Sequence, residues 1–199
     1  MYSIIKNTVD SLVSFLLLII LLPIFIILSI LIKIDSDGPV FFTQKRAGKN
    51  GKLFKIYKFR TMTQNSEKKA ILTSKKDKRI TKIGKFLRDK SLDELPQFFN
   101  VLKGEMSFIG PRPEIPELVR YYTKEQRKVL KIKPGITGLA QIEYGDKDLI
   151  NFKGKDIEEF HKQVLIPEKL KYDLNYLKNI SFLLDLKIIS KTFMRVFFR

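Results

Sequence analysis

Residues 11–32 read SLVSFLLLIILLPIFIILSILI, an unbroken run without a charged side chain. At about 1.5 Å per residue, a straight helix of this length would reach ~33 Å, against a bilayer hydrocarbon core of ~30 Å. The run predicts a membrane-inserted helix, and Pro23 in its middle bears on the kind of insertion. Proline there removes one backbone hydrogen bond and crowds the preceding turn, so a kink is expected. A kinked span would leave Lys33 and the basic remainder in the cytoplasm, with the N-terminus outside. A sharper bend would return both ends to one face as a re-entrant hairpin. A signal peptide is the competing reading, but the run exceeds a usual signal core, and KIDSDGPV at 33–40 lacks a small-x-small cleavage pattern.

Outward from this run, charge is distributed unevenly. Lysine and arginine number 38 against 21 acids, a net charge of +17. Residues 1–32 carry only Lys6 and Asp10, which cancel, so the whole excess lies beyond the apolar run. Such an excess concentrates anions, whether nucleic acid, an anionic membrane surface or phosphorylated substrates. With no cysteine in the chain, disulfides, thiolate zinc sites and thiol nucleophiles are excluded, and the single His161 cannot build a histidine metal cluster. The length suits one domain with its own core. The expected organisation is a membrane-inserted helix over 1–36, broken at Pro23, and a cytosolic domain over 37–199.

Two stretches rich in aromatic and β-branched residues flank GKNG at 48–51, and Asn50-Gly51 is a strong hairpin-turn signal. The polar, lysine-rich residues 63–79 read as a solvated loop. Ile80, Ile83, Phe86 and Leu87 have helical spacing with Lys82, Lys85 and Arg88 on other faces. That basic amphipathic helix could lie in the headgroup layer or pack on the core. A further helix is expected over Pro116 to Ile132, and another closes the chain at 181–199. The fold class is thus mainly α with a small β-hairpin: a membrane helix, re-entrant by expectation, plus a membrane-surface globular domain with amphipathic helices.

In SLDELPQ, residues 91–97, two acids stand together in this basic chain. Ser91 and Glu94 have capping-box spacing, which would give both acids a purely structural role. Pro96 complicates that reading, because inside a helix begun at Ser91 it would cost a hydrogen bond. A helix from about Pro96 to Leu102 is the alternative, with Asp93 and Glu94 at or just before its positive end. Arg88 and Lys90 lie upstream, and GEMSFIGPRPE at 104–114 holds Arg112 between Pro111 and Pro113. An arginine on so stiff a turn suits a bidentate grip on phosphate. The glycines of KPGITGLAQ, 133–141, suit either close approach to a ligand or plain turns. Two acids among clamped cations suggest a diphosphate substrate with a divalent metal between carboxylate and phosphate oxygens.

The stretches GPVFFTQKRAG, FKIYKFRTM, TKIGKFLRDKSLDELPQFFNVLKGEMSFIGPRP, KPGITGLAQ and NISFLLDLKII together resemble the monotopic phosphoglycosyl transferases. These are bacterial enzymes that initiate glycan assembly on polyprenol phosphate. The resemblance implies that Asp93 is a nucleophile toward the β-phosphate of a UDP-sugar, releasing UMP, and that Glu94 helps hold Mg²⁺. It also implies that Arg60, Arg88 and Arg112, with Pro111 and Pro113, serve substrate binding, and that Asp173 belongs to the active-site surroundings. Polyprenol phosphate would then accept the phosphosugar in a ping-pong cycle at the cytoplasmic face of the bacterial plasma membrane. UDP-sugar, polyprenol phosphate and membrane lipids are the expected partners, nucleic acid is not, and the oligomeric state is open.

This chain departs from the family where many members carry Ser-Pro at the helix break and this one has Leu22-Pro23. After KPGITGLAQ many members continue with Asn-Gly-Arg-Asn, and this chain reads IEYGDKDLINFKGKDIEEF, which leaves the sugar open. Two rivals stand beside the transferase reading. One is a non-enzymatic, membrane-tethered basic protein that binds nucleic acid or anionic lipid. The other is direct transfer, with Asp93 only binding metal.

Overall fold

The computed structural model describes residues 2–63, 77, 79–144 and 157–198. Helix α1 (Tyr2–Ile20) and helix α2 (Leu22–Asp35) take up the apolar run, with Pro23 in the first turn of α2. There its missing N–H costs little, but its ring prevents a straight continuation, and the two helices bend by 61° at the break. Among the described residues no single helix is long and apolar enough to cross a membrane, whereas the bent pair has the length and composition together.

The pair has two faces. Leu18, Leu21, Phe25, Leu28 and Ile32 pack against Phe59, Leu87, Leu92 and Leu95 of the globular part. The opposite face leaves Leu16, Ile20, Ile27 and Ile34 exposed, at 56%, 68%, 56% and 78%. A continuous apolar surface of that extent is foreign to a protein bathed in water. Polar residues at helical spacing also face inward along α1. Lys6 meets Asp185 at 2.5 Å, Ser107 Oγ donates to Asp10 Oδ2 at 2.6 Å, and Ser14 Oγ donates to the carbonyl of Phe98 at 2.6 Å. Tyr2 and Tyr176 donate to the two oxygens of the same Asp185.

Strands β1 (Phe41–Ala47) and β2 (Leu53–Phe59) form the expected antiparallel hairpin, in register from Phe41 opposite Phe59 to Ala47 opposite Leu53. Asn50 and Gly51 take positive φ, 56° and 76°, as the turn sequence demands. Helix α3 (Lys82–Asp89) begins at a Thr81 cap, whose Oγ1 accepts from Gly84 N. It answers both sequence readings: Leu87 is buried against α2, while Phe86 is 49% exposed.

Helix α4 (Gln97–Leu102) runs where Pro96 predicts it. Its fully buried Asn100 donates to the carbonyl of Lys55 and accepts from Tyr57 N, riveting α4 to β2. A second two-stranded sheet, which the sequence reading lacks, is parallel: β3 (Ser107–Ile109) beside β4 (Gly135–Thr137).

The helix expected over Pro116 to Ile132 is not continuous. Helix α5 (Pro116–Val119) stops, and a 3₁₀ segment occupies Gln126–Lys131. Thr123 and Gln126 bond reciprocally, side chain to backbone N–H, and so restart the chain as a new helical turn. Helix α6 (Leu139–Glu143) follows β4. Helix α7 (Ile157–Phe160) leads through a π-helical turn, His161–Leu165, into α8 (Ile166–Lys178). Helix α9 (Phe182–Phe197) closes the described chain behind a Ser181 cap. It buries Ile188 and leaves Leu183, Leu186, Ile189 and Phe193 exposed along one stripe. The divergent residues after KPGITGLAQ lie largely outside the described residues, as does most of the loop expected at 63–79.

Candidate active site

Asp93 and Glu94 sit on a short 3₁₀ turn, Leu92–Glu94, between α3 and α4. Ser91 is left-handed, with φ at 56°, and its side chain makes no cap bond, so the capping-box reading of SLDE does not describe this turn. Leu92 and Leu95 anchor it in the cluster shared with α2, and the whole turn, both acids included, lines a cavity of about 1990 Å³.

Strand β2 supplies the first cation. Lys58 Nζ lies 2.7 Å from Glu94 Oε1 and 4.0 Å from Asp93 Oδ2. Arg112 supplies the second, its guanidinium 2.9 Å from the same Glu94 oxygen and half exposed. Burial works to raise Glu94, but Arg112 and Lys58 outweigh it and hold the carboxyl below its ordinary range. Asp93 goes the other way: burial raises it, Glu94 adds to the effect, and Lys58 and Arg88 only partly offset it. Adjacent carboxylates are thus split into one firmly ionised, doubly paired acid and one less committed acid with no short hydrogen bond.

The remaining residues singled out in the sequence divide in two. Arg88 lines the cavity near Asp93, held by its Nε donating to Thr61 Oγ1 at 2.8 Å. Pro111 and Pro113 keep Arg112 in place through their carbonyls, which accept from Gly135 N at 2.9 Å and from Arg46 at 3.3 Å. Arg60 is placed differently. Its terminal nitrogens donate to the carbonyls of Ile32, Ser36 and Asp37, where it closes the C-terminal end of α2. Asp173, on α8, lines the same cavity from another wall, and burial pushes its carboxyl up to about 7.

The close-approach glycines serve the protein's own backbone. A Cβ on Gly135 would stand 2.1 Å from Gly110 N, so this pair lets β4 press against the Pro-Arg-Pro turn. Sequence reasoning missed Lys58, taking Arg60 as the functional cation of KFR. Arg60 lies just beyond the end of β2 and also lines the cavity, so strand alternation could not tell which of the two cations meets the acids, and only the tertiary structure assigns them.

Among the described residues no group of three or more metal-ligating side chains exists. The acid pair still fits Mg²⁺, a hard cation that takes one or two carboxylates and completes its shell with water and phosphate oxygens. Asp93 and the second oxygen of Glu94 are the oxygens that could hold it.

The whole chain, residues 1–199, matches the family described as bacterial sugar transferase. The chain belongs to that family. It is 45% identical over 198 residues to a Klebsiella pneumoniae protein named UDP-glucose:undecaprenyl-phosphate glucose-1-phosphate transferase, covering 96% of this chain and 40% of that protein. An Aeromonas hydrophila protein named UDP-N-acetylgalactosamine-undecaprenyl-phosphate N-acetylgalactosaminephosphotransferase is 40% identical over 96% of this chain and 43% of its own length. The exopolysaccharide production protein ExoY of Sinorhizobium fredii is 35% identical, with 94% of this chain and 83% of ExoY covered. This bacterial sugar transferase chain therefore spans about 40% of the length of the first two, and the shared part is the part that carries the acid pair.

Proposed function

We propose that this protein transfers a sugar-1-phosphate from a UDP-sugar to a polyprenol phosphate of the undecaprenyl class, releasing UMP. The observation that carries the reading is the split acid pair at the cation-lined end of the cavity. In the first half-reaction an Asp93 oxygen bonds to the β-phosphorus, the bond from that phosphorus to the UMP oxygen breaks, and UMP leaves with the electron pair. In the second, a phosphate oxygen of the lipid attacks the same phosphorus, and the Asp93 carboxylate is restored. Lys58, Arg88 and Arg112 neutralise the diphosphate, without which a carboxylate could not approach it. Mg²⁺, when bound by Asp93 and Glu94, would supply further neutralisation of the phosphate oxygens.

The lipid substrate explains the rest of the cavity. Away from the acids its walls are Val9, Val13 and Leu17 of α1 and Leu186, Ile189 and Phe193 of α9, a surface suited to an isoprenoid chain. Both ends of the α1–α2 pair are bonded to the globular part: Tyr2 and Lys6 to Asp185 on α9, and Asp35 to the N–H of Ile83 on α3. A chain so tied enters and leaves a bilayer on one side, which favours a re-entrant hairpin over a span. The site of action proposed here is the cytoplasmic face of the bacterial plasma membrane, at the first membrane step of glycan assembly.

The test uses detergent-solubilised protein with UDP-glucose or UDP-N-acetylgalactosamine and Mg²⁺, before any lipid is added. Expected are UMP release and a mass adduct of one phosphosugar on Asp93. With Asp93→Asn the adduct should vanish, and turnover should fall by roughly 10³-fold or more. An active Asp93→Asn enzyme without adduct would leave direct transfer as the mechanism.

A further inference from the structure

In the cavity that holds the acid pair, three further polar groups line the wall without a hydrogen-bond partner among the described residues. Asp173 is 5% exposed and its carboxyl makes no hydrogen bond or ion pair; its Oδ1 is wholly buried. Gln141 Oε1 is buried and unpaired as well, although the side-chain nitrogen reaches the carbonyl of Ile136 at 3.5 Å. The hydroxyl of Tyr122 belongs to a residue 8% exposed that packs in one cluster with Ile166 and Leu170, within electrostatic reach of Glu114 and Asp173. Ala140, Ile166 and Leu170 line the wall around them, with Lys169 close enough to act on the Asp173 carboxyl.

Leaving a buried acceptor unsatisfied is costly, so such groups are normally paired by protein, water or ligand. The other two unpaired buried atoms, Arg46 Nε and Arg60 Nε, belong to guanidiniums whose remaining nitrogens are bonded elsewhere. Asp173, whose carboxyl has no bond from either oxygen among the described residues, has no such excuse, and the buried Gln141 Oε1 stands unpaired in the same cavity. The local build also protects the arrangement. Any Cβ at Gly138 would come 2.8 Å from Gln141 Oε1, and α6 is pressed onto α8, with the Tyr144 and Tyr172 rings 6.3 Å apart.

We propose that Asp173, Gln141 and Tyr122 form a subsite that accepts hydroxyl groups of the hexose in the nucleotide-linked donor. The inference rests on the transferase reading above and assigns the sugar end of that substrate. The chemistry favours a hydroxyl-bearing ring of the donor, hexose or ribose, over its other parts, and the UMP titration below separates the two. Phosphate is repelled by a carboxylate and is already matched by Lys58, Arg88 and Arg112. Uracil offers one N–H donor and two acceptors, a poor match for a wall rich in acceptors. A hexose offers several hydroxyl donors on a ring whose C–H faces suit the apolar surround. A site built to bond hydroxyls also discriminates strongly, because a sugar with the wrong epimer leaves its buried acceptors unpaired.

The experiment compares the full-length protein with Asp173→Asn and Tyr122→Phe, two near-isosteric changes, and Gln141→Met. UMP release is measured with UDP-glucose, UDP-galactose and UDP-N-acetylgalactosamine, and UMP is titrated separately as a competitor. For the preferred sugar, kcat/KM should fall at least tenfold in Asp173→Asn and Tyr122→Phe, and the preference among the three sugars should narrow. The UMP inhibition constant should stay within twofold of wild type. An equal weakening of UMP would place the three groups on the nucleotide and overturn the assignment. Unchanged kcat/KM and sugar preference would overturn it too, whatever happens to thermal stability. A wild-type protein that releases UMP from none of the three strikes instead at the transferase reading, and the two failures are therefore distinct.

Discussion

Lys58 illustrates how much one side chain can decide. Its ammonium touches Glu94 and stands 4.0 Å from Asp93, so it tempers the cost of holding two acids together. Lys58→Met should reduce UMP release by about 10²-fold. It should also move the acidic limb of the pH–rate profile to higher pH, because Asp93 must be ionised to attack and Lys58 is what lowers its pKa most. Asp173 makes the opposite kind of statement, about stability. Below about pH 3 its carboxyl is protonated in folded and unfolded chains alike, so pH has no leverage. As pH rises the unfolded chain ionises first, while the folded group holds its proton to about 7, and stability is lost across that window. Full ionisation in place corresponds to about 4 kcal/mol against the folded state. Asp173→Asn should therefore unfold at a higher temperature than wild type at pH 8, with the gap closing by about pH 3, as thermal melts at both pH values would show.

At the scale of elements, α3 is positioned by absence of a side chain. Its Gly84 abuts the backbone of Thr61, where a Cβ would sit 2.1 Å from the carbonyl oxygen. Arg88, one turn later on α3, bonds the hydroxyl of that same Thr61. Gly84→Ala should force the helix away, costing about 1–3 kcal/mol by overpacking. Arg88 would be displaced with it, so KM for the UDP-sugar should rise in parallel with the loss in melting temperature. The periodicity of α3 and α9 was plain in the sequence, as was the α4 start at Pro96. The interruption between α5 and the following 3₁₀ segment was not, because Thr123 and Gln126 act as a cap only once the chain has turned there. Helix α8 escaped notice because its buried face includes Asp173 and so lacks an unbroken apolar stripe.

Over the whole molecule, the α1–α2 pair is both a packing layer and a cavity wall. It packs one face under the acid pair, lends Val9, Val13 and Leu17 to the cavity, and presents the other face outward. With both ends tied to one globular body, a bilayer could meet only the bend and the outward face. In this cysteine-free chain, single cysteines at Tyr2 and Lys49 should react with an impermeant thiol reagent from the same side of sealed membranes. Reaction from opposite sides would show a span and refute the hairpin.

The apolar run, its break at Pro23, the Asn50-Gly51 hairpin and the acid pair among cations were all determined by the sequence itself. Each depends on local chemistry: hydropathy, a missing N–H, tolerance of positive φ, or adjacency in the chain. Which cations meet which acid was decided only in three dimensions. Lys58 and Arg60 are two residues apart and alike in charge, yet one faces Glu94 and the other closes α2, because the strand ends between them and packing turns the chain. The unpaired wall of Asp173, Gln141 and Tyr122 is a tertiary fact as well, since burial without a partner has no signature in sequence.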